Sequence, residues 1–181
     1  MLLGCGGSGG HGTDDGQESG TSAPPTSEAG SESTTEAMLD PVSLARATAW
    51  SLDGPQDDPF ADERPDWVQC EIGWDVVTSG FEVDTSLCTY AAFVQPTLAT
   101  IAAGDEVEVL LTRAEPSEPP SGHFGLAFGP EIVFEVELDE DDVQGRWVAT
   151  TDVPVGTPLH LHLHDDGPNT YRVASLMVTG R

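Results

Sequence analysis

Residues 159–164 read LHLHLH, inside the longer stretch PLHLHLHDDGPNTY of residues 158–171. Strict alternation of one apolar and one polar residue is the period of a β-strand, whose side chains point to opposite faces in turn. The stretch predicts a strand with Leu159, Leu161 and Leu163 on a buried face and His160, His162 and His164 on the other, toward solvent or a second layer. Same-face neighbours on a strand are about 6.6–7 Å apart, so the outer two histidines stand about 13–14 Å apart. Zinc–nitrogen bonds are about 2.0–2.1 Å long, so one ion cannot readily be held by all three. A His-x-His pair can share an ion if a further ligand arrives from elsewhere, with His123, Asp165 and Asp166 as candidates. His160, His162 and His123 are therefore the metal candidates. The competing reading makes the histidines cross-strand partners on a half-polar sheet face, donating to carbonyls and acids. With so much acid nearby they are expected to bind protons more tightly than isolated histidine.

The same rhythm recurs outward from this stretch. DDGPN (165–169) is a turn, and YRVASLMV (171–178) is the next strand. VSLARATAWSL (42–52) places Val42, Leu44, Trp50 and Leu52 on one parity, and FEVDTS (81–86) also alternates. EVEVLLTR (106–113) follows the turn Ala103-Gly104-Asp105. GHFGLAFG and EIVFEVEL (122–138) read as two strands joined at Gly129-Pro130, and RWVATTDV (146–153) as another. TLATIAAG (97–104) fits a turn of helix or a strand, and LDGPQDDPFADERPD (52–66) reads as a charged excursion. Short period-two runs bounded by Gly, Pro, Asn and Asp predict an all-β domain over residues 41–181, an antiparallel β-sandwich of jelly-roll-like form.

The chain has 181 residues, with 32 acidic against 6 basic side chains, all six of them arginine, and a formal net charge of −26. Such a surface repels nucleic-acid phosphates, which excludes a nucleic-acid partner. Of the three cysteines, Cys70 and Cys88 lie within the folded part and no CxxC pair occurs. Lone cysteines at this separation suit one disulfide better than a zinc site, and a disulfide implies an oxidising compartment.

The first residues, MLLGCGGSGG, carry Leu2-Leu3-Gly4-Cys5. This tetrapeptide resembles a bacterial lipobox. The resemblance implies Cys5 as the lipidated residue, residues 1–5 as a lipoprotein signal remnant, and a start codon upstream of Met1. Residues 6–40 are Gly, Ser, Thr, Glu, Asp and Pro with little apolar content, which predicts a disordered acidic tether. Membrane anchoring through Cys5 places the domain outside the cytoplasm, in the periplasm or at the cell surface.

PTLATIAAGDEVEVLL, the later VPVGTPLHLHLHDDGPNTY and the closing RVASLMV resemble the second half of galactose-binding-like jelly rolls, a pattern shared with many carbohydrate-binding modules. The resemblance covers residues 67–180 and implies a glycan ligand. Ser175 stands where that family often has an acid near a structural calcium. Trp67 and Trp74, flanking the cysteines, are the sugar-stacking candidates, although tryptophan beside a disulfide more often packs into a core.

Catalytic signatures are lacking. No GxSxG elbow surrounds Ser121, no phosphate loop is present, and without lysine no Schiff base forms. The leading expectation is a lipid-anchored extracytoplasmic binding or structural module without catalytic activity or an obligatory cofactor, its partner a glycan or a cell-surface protein. The alternatives are a transition-metal enzyme on a cupin-like β-scaffold using His160 and His162, and a calcium-stabilised structural domain.

Overall fold

The computed structural model describes residues 40–115, 122–139, 142–165 and 167–180. Cys5, the signal remnant, the tether up to residue 39, Ser121 and Asp166 lie outside them. The strands in chain order are β1 (Val42–Ser43), β2 (Ser51–Leu52), β3 (Trp74–Val77), β4 (Gly80–Asp84), β5 (Ala91–Pro96) and β6 (Glu106–Glu115). They continue with β7 (Gly122–Phe128), β8 (Glu131–Leu138), β9 (Asp142–Val148), β10 (Pro158–Asp165) and β11 (Thr170–Gly180). One sheet has the order β3-β4-β11-β6-β9, with β1 also on β11; the other has the order β2-β5-β10-β7-β8. Every pairing among the described strands is antiparallel, and the two sheets form a sandwich.

The expected strand over 159–164 is β10, at the centre of its sheet between β5 and β7. Leu159, Leu161 and Leu163 are fully buried between the sheets, beside Phe93 of β5 and Phe124 and Leu126 of β7. Val107, Val109 and Leu111 of β6, and Phe81 and Val83 of β4, complete the core from the other sheet. Each leucine so buried contributes about 1.5–3 kcal/mol by removal of apolar surface from water. The β7–β8 connection turns at Gly129, whose φ of 56° lies in the left-handed region that favours glycine.

The segment 42–52 departs from the expected single strand. A 3₁₀ turn at Ala47–Ala49 divides it, so β1 pairs with β11 in one sheet and β2 with β5 in the other. That turn breaks the two-residue period: Leu44 and Trp50 are buried, whereas Val42 and Leu52 are exposed. TLATIAAG forms neither helix nor strand, meeting Val153 through a single bridge at Ile101. The strand expected over 146–153 ends at Val148, and β3 and β5 were not apparent as strands in the sequence. Short apolar runs such as AAFV, buried on both faces, lack the alternation that reveals a strand.

Cys70 and Cys88 form the expected disulfide, with both sulfurs in the core. Their sequence separation of 18 residues corresponds to about 3 kcal/mol of stabilisation through restriction of the unfolded chain. Urea unfolding with and without reductant checks this: the reduced protein is expected to lose about that amount. Coincident curves from fully reduced and oxidised samples would contradict it.

Candidate metal centre

The pleat that buries the leucines sends the histidines to the outer face of the sheet. That face is covered. Residues 53–64 fold back over it, and His162, His160 and His123 are 0%, 6% and 8% exposed. His160, His162 and His123 therefore face a second layer and not solvent, while His164 stays partly exposed. The three buried rings lie beneath the segment read in the sequence as a charged excursion.

Antiparallel register assembles the cluster. His164 of β10 is the direct partner of His123 on β7, and His162 is the partner of Gly125. On β8, Glu137 pairs with His123 and Glu135 with Gly125. Two rows thus cross the sheet, His164–His123–Glu137 and His162–Gly125–Glu135. Gly125 leaves space over its row, and Phe60 occupies it: a Cβ at this position would sit 2.4 Å from Phe60 Cε1. The Phe60 ring stacks on His162 with centroids 4.9 Å apart and planes 19° apart.

A polar hub holds the covering segment. The Tyr90 hydroxyl donates to Asp58 Oδ2 at 2.7 Å and lies 2.9 Å from the Phe60 carbonyl oxygen. The Phe60 N–H donates to Asp58 Oδ1 at 2.9 Å, and Arg64 Nη1 donates to Asp58 Oδ2 at 3.3 Å. The Arg64 guanidinium also lies 5.0 Å above the Tyr90 ring. Burial, then the hydrogen bond to Asp58, pushes the Tyr90 hydroxyl far above the ordinary tyrosine range. The hub ends in the 3₁₀ turn Ala61–Glu63, which delivers the Glu63 carboxylate to the imidazoles.

Glu63, His123, His162 and His164 each offer one ligand atom, all within 4.8 Å of one another. Glu63 Oε2 is 3.0 Å from His123 Nδ1, 3.3 Å from His162 Nε2 and 3.9 Å from His164 Nδ1. His162 Nε2 is 3.0 Å from His164 Nδ1. A tetrahedral ion with bonds of about 2.0–2.1 Å separates its ligand atoms by about 3.3 Å. These four spacings, 3.0 to 3.9 Å, lie on either side of that value, within a set bounded at 4.8 Å. Among the described residues His123 Nδ1 has no hydrogen-bond partner, although Glu63 Oε2 lies 3.0 Å away.

Of the expected metal set, the structure brings together His162 and His123 and sets His160 apart. His160 Nδ1 instead meets Asp53 Oδ2 at 2.6 Å in a buried pair that ties down the start of the covering segment. His164 takes its place in the cluster, and the carboxylate is Glu63. A signal for Glu63 was present in the sequence: Pro59-Phe60 is an apolar anchor within an otherwise acidic loop. Trp67 is largely exposed, while Trp74 packs against Phe81 and Phe93 at the sandwich edge with centroids 6.1 and 5.6 Å away. Trp74, Asp75, Glu82, Asp84 and Thr170 line a shallow cleft to which Trp67 does not contribute.

No protein-family model matches the chain, and no curated protein matches it. Among solved structures, a CBM51 from Clostridium perfringens GH95 in complex with methyl-galactose aligns at 15% identity and a TM-score of 0.41, covering 76% of this chain and 99% of that one. A family two carbohydrate esterase from Clostridium thermocellum in complex with cellohexaose aligns at 10% identity and a TM-score of 0.37, covering 61% of this chain and 30% of that one. The matched region is thus under a third of the esterase's length. At these scores neither likeness bears on what this chain binds.

The acidic composition led to an expectation of raised proton affinity, and His162 departs from it. Burial first, then the neighbouring His164, His123 and Arg64, lower its pKa from 6.5 to about 3. Desolvation outweighs the surrounding acids because the ring is wholly enclosed. Between those values the unfolded chain takes up a proton that the native chain does not, so this residue makes stability fall as pH drops from about 6.5 to about 3. Metal-free wild type is therefore expected to lose more melting temperature over that window than a His162→Gln variant. Parallel pH profiles for the two proteins would rule this out.

Proposed function

We propose that this chain is an extracytoplasmic metal-binding module without catalytic activity, holding one divalent transition-metal ion, zinc by its donor set, at Glu63, His123, His162 and His164. The observation that carries the reading is the convergence of those four ligand atoms within 4.8 Å on one sheet face. Three imidazoles and one carboxylate are donors suited to zinc or copper, whereas calcium takes six to eight oxygens. The calcium-stabilised alternative therefore has less support. Four protein ligands fill a tetrahedral shell, while catalytic zinc sites keep a position open for water or substrate. That favours binding over the metalloenzyme alternative.

The state of His162 supports the same reading. His162 is fully buried and resists protonation. Its imidazole therefore stays neutral, the form in which Nε2, beside Glu63 and His164, offers a lone pair to an ion.

The lipid anchor at Cys5 and the position outside the cytoplasm belong to this proposal, supported by the lipobox-like Leu2-Leu3-Gly4-Cys5 and by the disulfide. The glycan-binding version has thinner support, since Trp74 is engaged with Phe81 and Phe93.

Elemental analysis of protein purified without an affinity tag, after zinc loading and dialysis, tests the reading. One zinc per chain is expected, with loss of at least tenfold in affinity for His123→Gln or His164→Gln. Gly125→Ala, which displaces Phe60 and the covering segment while leaving all four ligands in the sequence, is also expected to weaken zinc binding. Failure of the wild type to retain stoichiometric zinc would overturn the proposal.

A further inference from the structure

The metal cluster is not sealed. Glu63, His123, Glu135, Val136, Glu137 and His164 line a cavity of about 400 Å³ that opens to solvent. The side chains of His164 and Glu63 are about one-third exposed at 33% and 36%, His123 is a buried part of the lining, and the wholly buried His162 stacks under Phe60 outside the lining. Two of the six lining residues are glutamates outside the four ligands. Their place is set by register: Glu137 is the cross-strand partner of His123, and Glu135 stands opposite Gly125. Glu135 Oε1 is 3.6 Å from His123 Nε2, on the side of that ring away from Glu63. This is too long for a hydrogen bond but close enough to polarise the ring.

Among the residues lining this cavity none is a lysine or arginine. A mouth of that charge disfavours phosphates, carboxylates and other anions, and raises the local concentration of cations. Resting on the metal reading above, we infer that Glu135 and Glu137 form a capture rim for the hydrated cation, so that the ion is exchangeable cargo and not a permanent structural clip. A hydrated divalent ion first meets the exposed carboxylates of the rim. It then sheds water stepwise as Glu63 and His164, and after them His123 and His162, replace its hydration shell. Release follows the same path in reverse. The rim contributes chiefly to the rate of exchange, and the four inner ligands to the final affinity.

Cobalt(II), whose visible spectrum reports its inner ligands, is the probe. Uptake by the metal-free full chain is followed by stopped-flow absorbance at two ionic strengths, for wild type, Glu135→Gln/Glu137→Gln, and a control, Asp75→Asn/Asp142→Asn, that removes two exposed carboxylates from the opposite sheet. The rim variant is expected to bind one cobalt with an unchanged spectrum, about tenfold more slowly at low salt and with a shallower salt dependence. The control is expected to stay within about twofold of wild type. Equal uptake rates for rim variant and wild type overturn the inference, as does a control slowed as much as the rim variant, which would assign the effect to overall charge. A changed spectrum in the rim variant also overturns it, by making these glutamates inner ligands. Absence of cobalt binding by wild type is a different result, because it removes the metal reading itself.

Discussion

Burying Leu159, Leu161 and Leu163 between two sheets fixes the rotation of β10 about its own axis, and a strand so fixed has no choice about its other face. A slip of one residue in pairing would place three imidazoles in the core and three leucines outside. The imidazoles are therefore positioned by the hydrophobic effect acting on their neighbours. Because β10 is central and paired on both sides, its register is set by β5 and β7 together. His123 is then brought beside His164 by the backbone ladder before any side-chain interaction is considered. This is how a sandwich presents a preorganised donor set on a rigid element.

The fourth member of the cluster has a different origin. Glu63 ends a 3₁₀ turn outside the sheets, and its position depends on Phe60 lying over Gly125, on the Asp58–Tyr90–Arg64 hub, and on the Asp53–His160 pair. The histidine outside the cluster thus helps to hold in place the segment that carries the ligand inside it. Covering the imidazoles makes His162 hard to protonate, since a charge there would lack water. The same cover leaves the cavity between Glu63 and β8 open to solvent, the approach that the proposed site offers an ion. Rigid histidines on strands and a glutamate on a clamped loop combine fixed geometry with access.

Much of the fold was legible because alternation is a direct image of a pleated strand. β4, β6, β7, β8, β10 and β11 all follow runs of that kind, and the Gly129-Pro130 turn follows from its residues. β3 and β5 were not apparent, since Trp74–Val77 is short and Ala91–Pro96 is apolar almost throughout. The site was only half legible. The His-x-His pair and His123 were visible as residues, but choosing His164 over His160 needs the register between β7 and β10, which no local pattern carries. Glu63 was hidden for another reason. In a chain with 32 acidic residues no single carboxylate stands out, and only the apolar Phe60 beside it marks the loop as anchored. Disulfide pairing was readable by elimination, there being two cysteines in the folded part.

X-ray absorption at the zinc edge of the loaded, untagged full chain is the most direct measurement of the central claim. It is expected to show four nitrogen or oxygen donors at about 2.0–2.1 Å with the outer-shell scattering of three imidazoles. A six-coordinate, water-rich shell with one imidazole or none would contradict it.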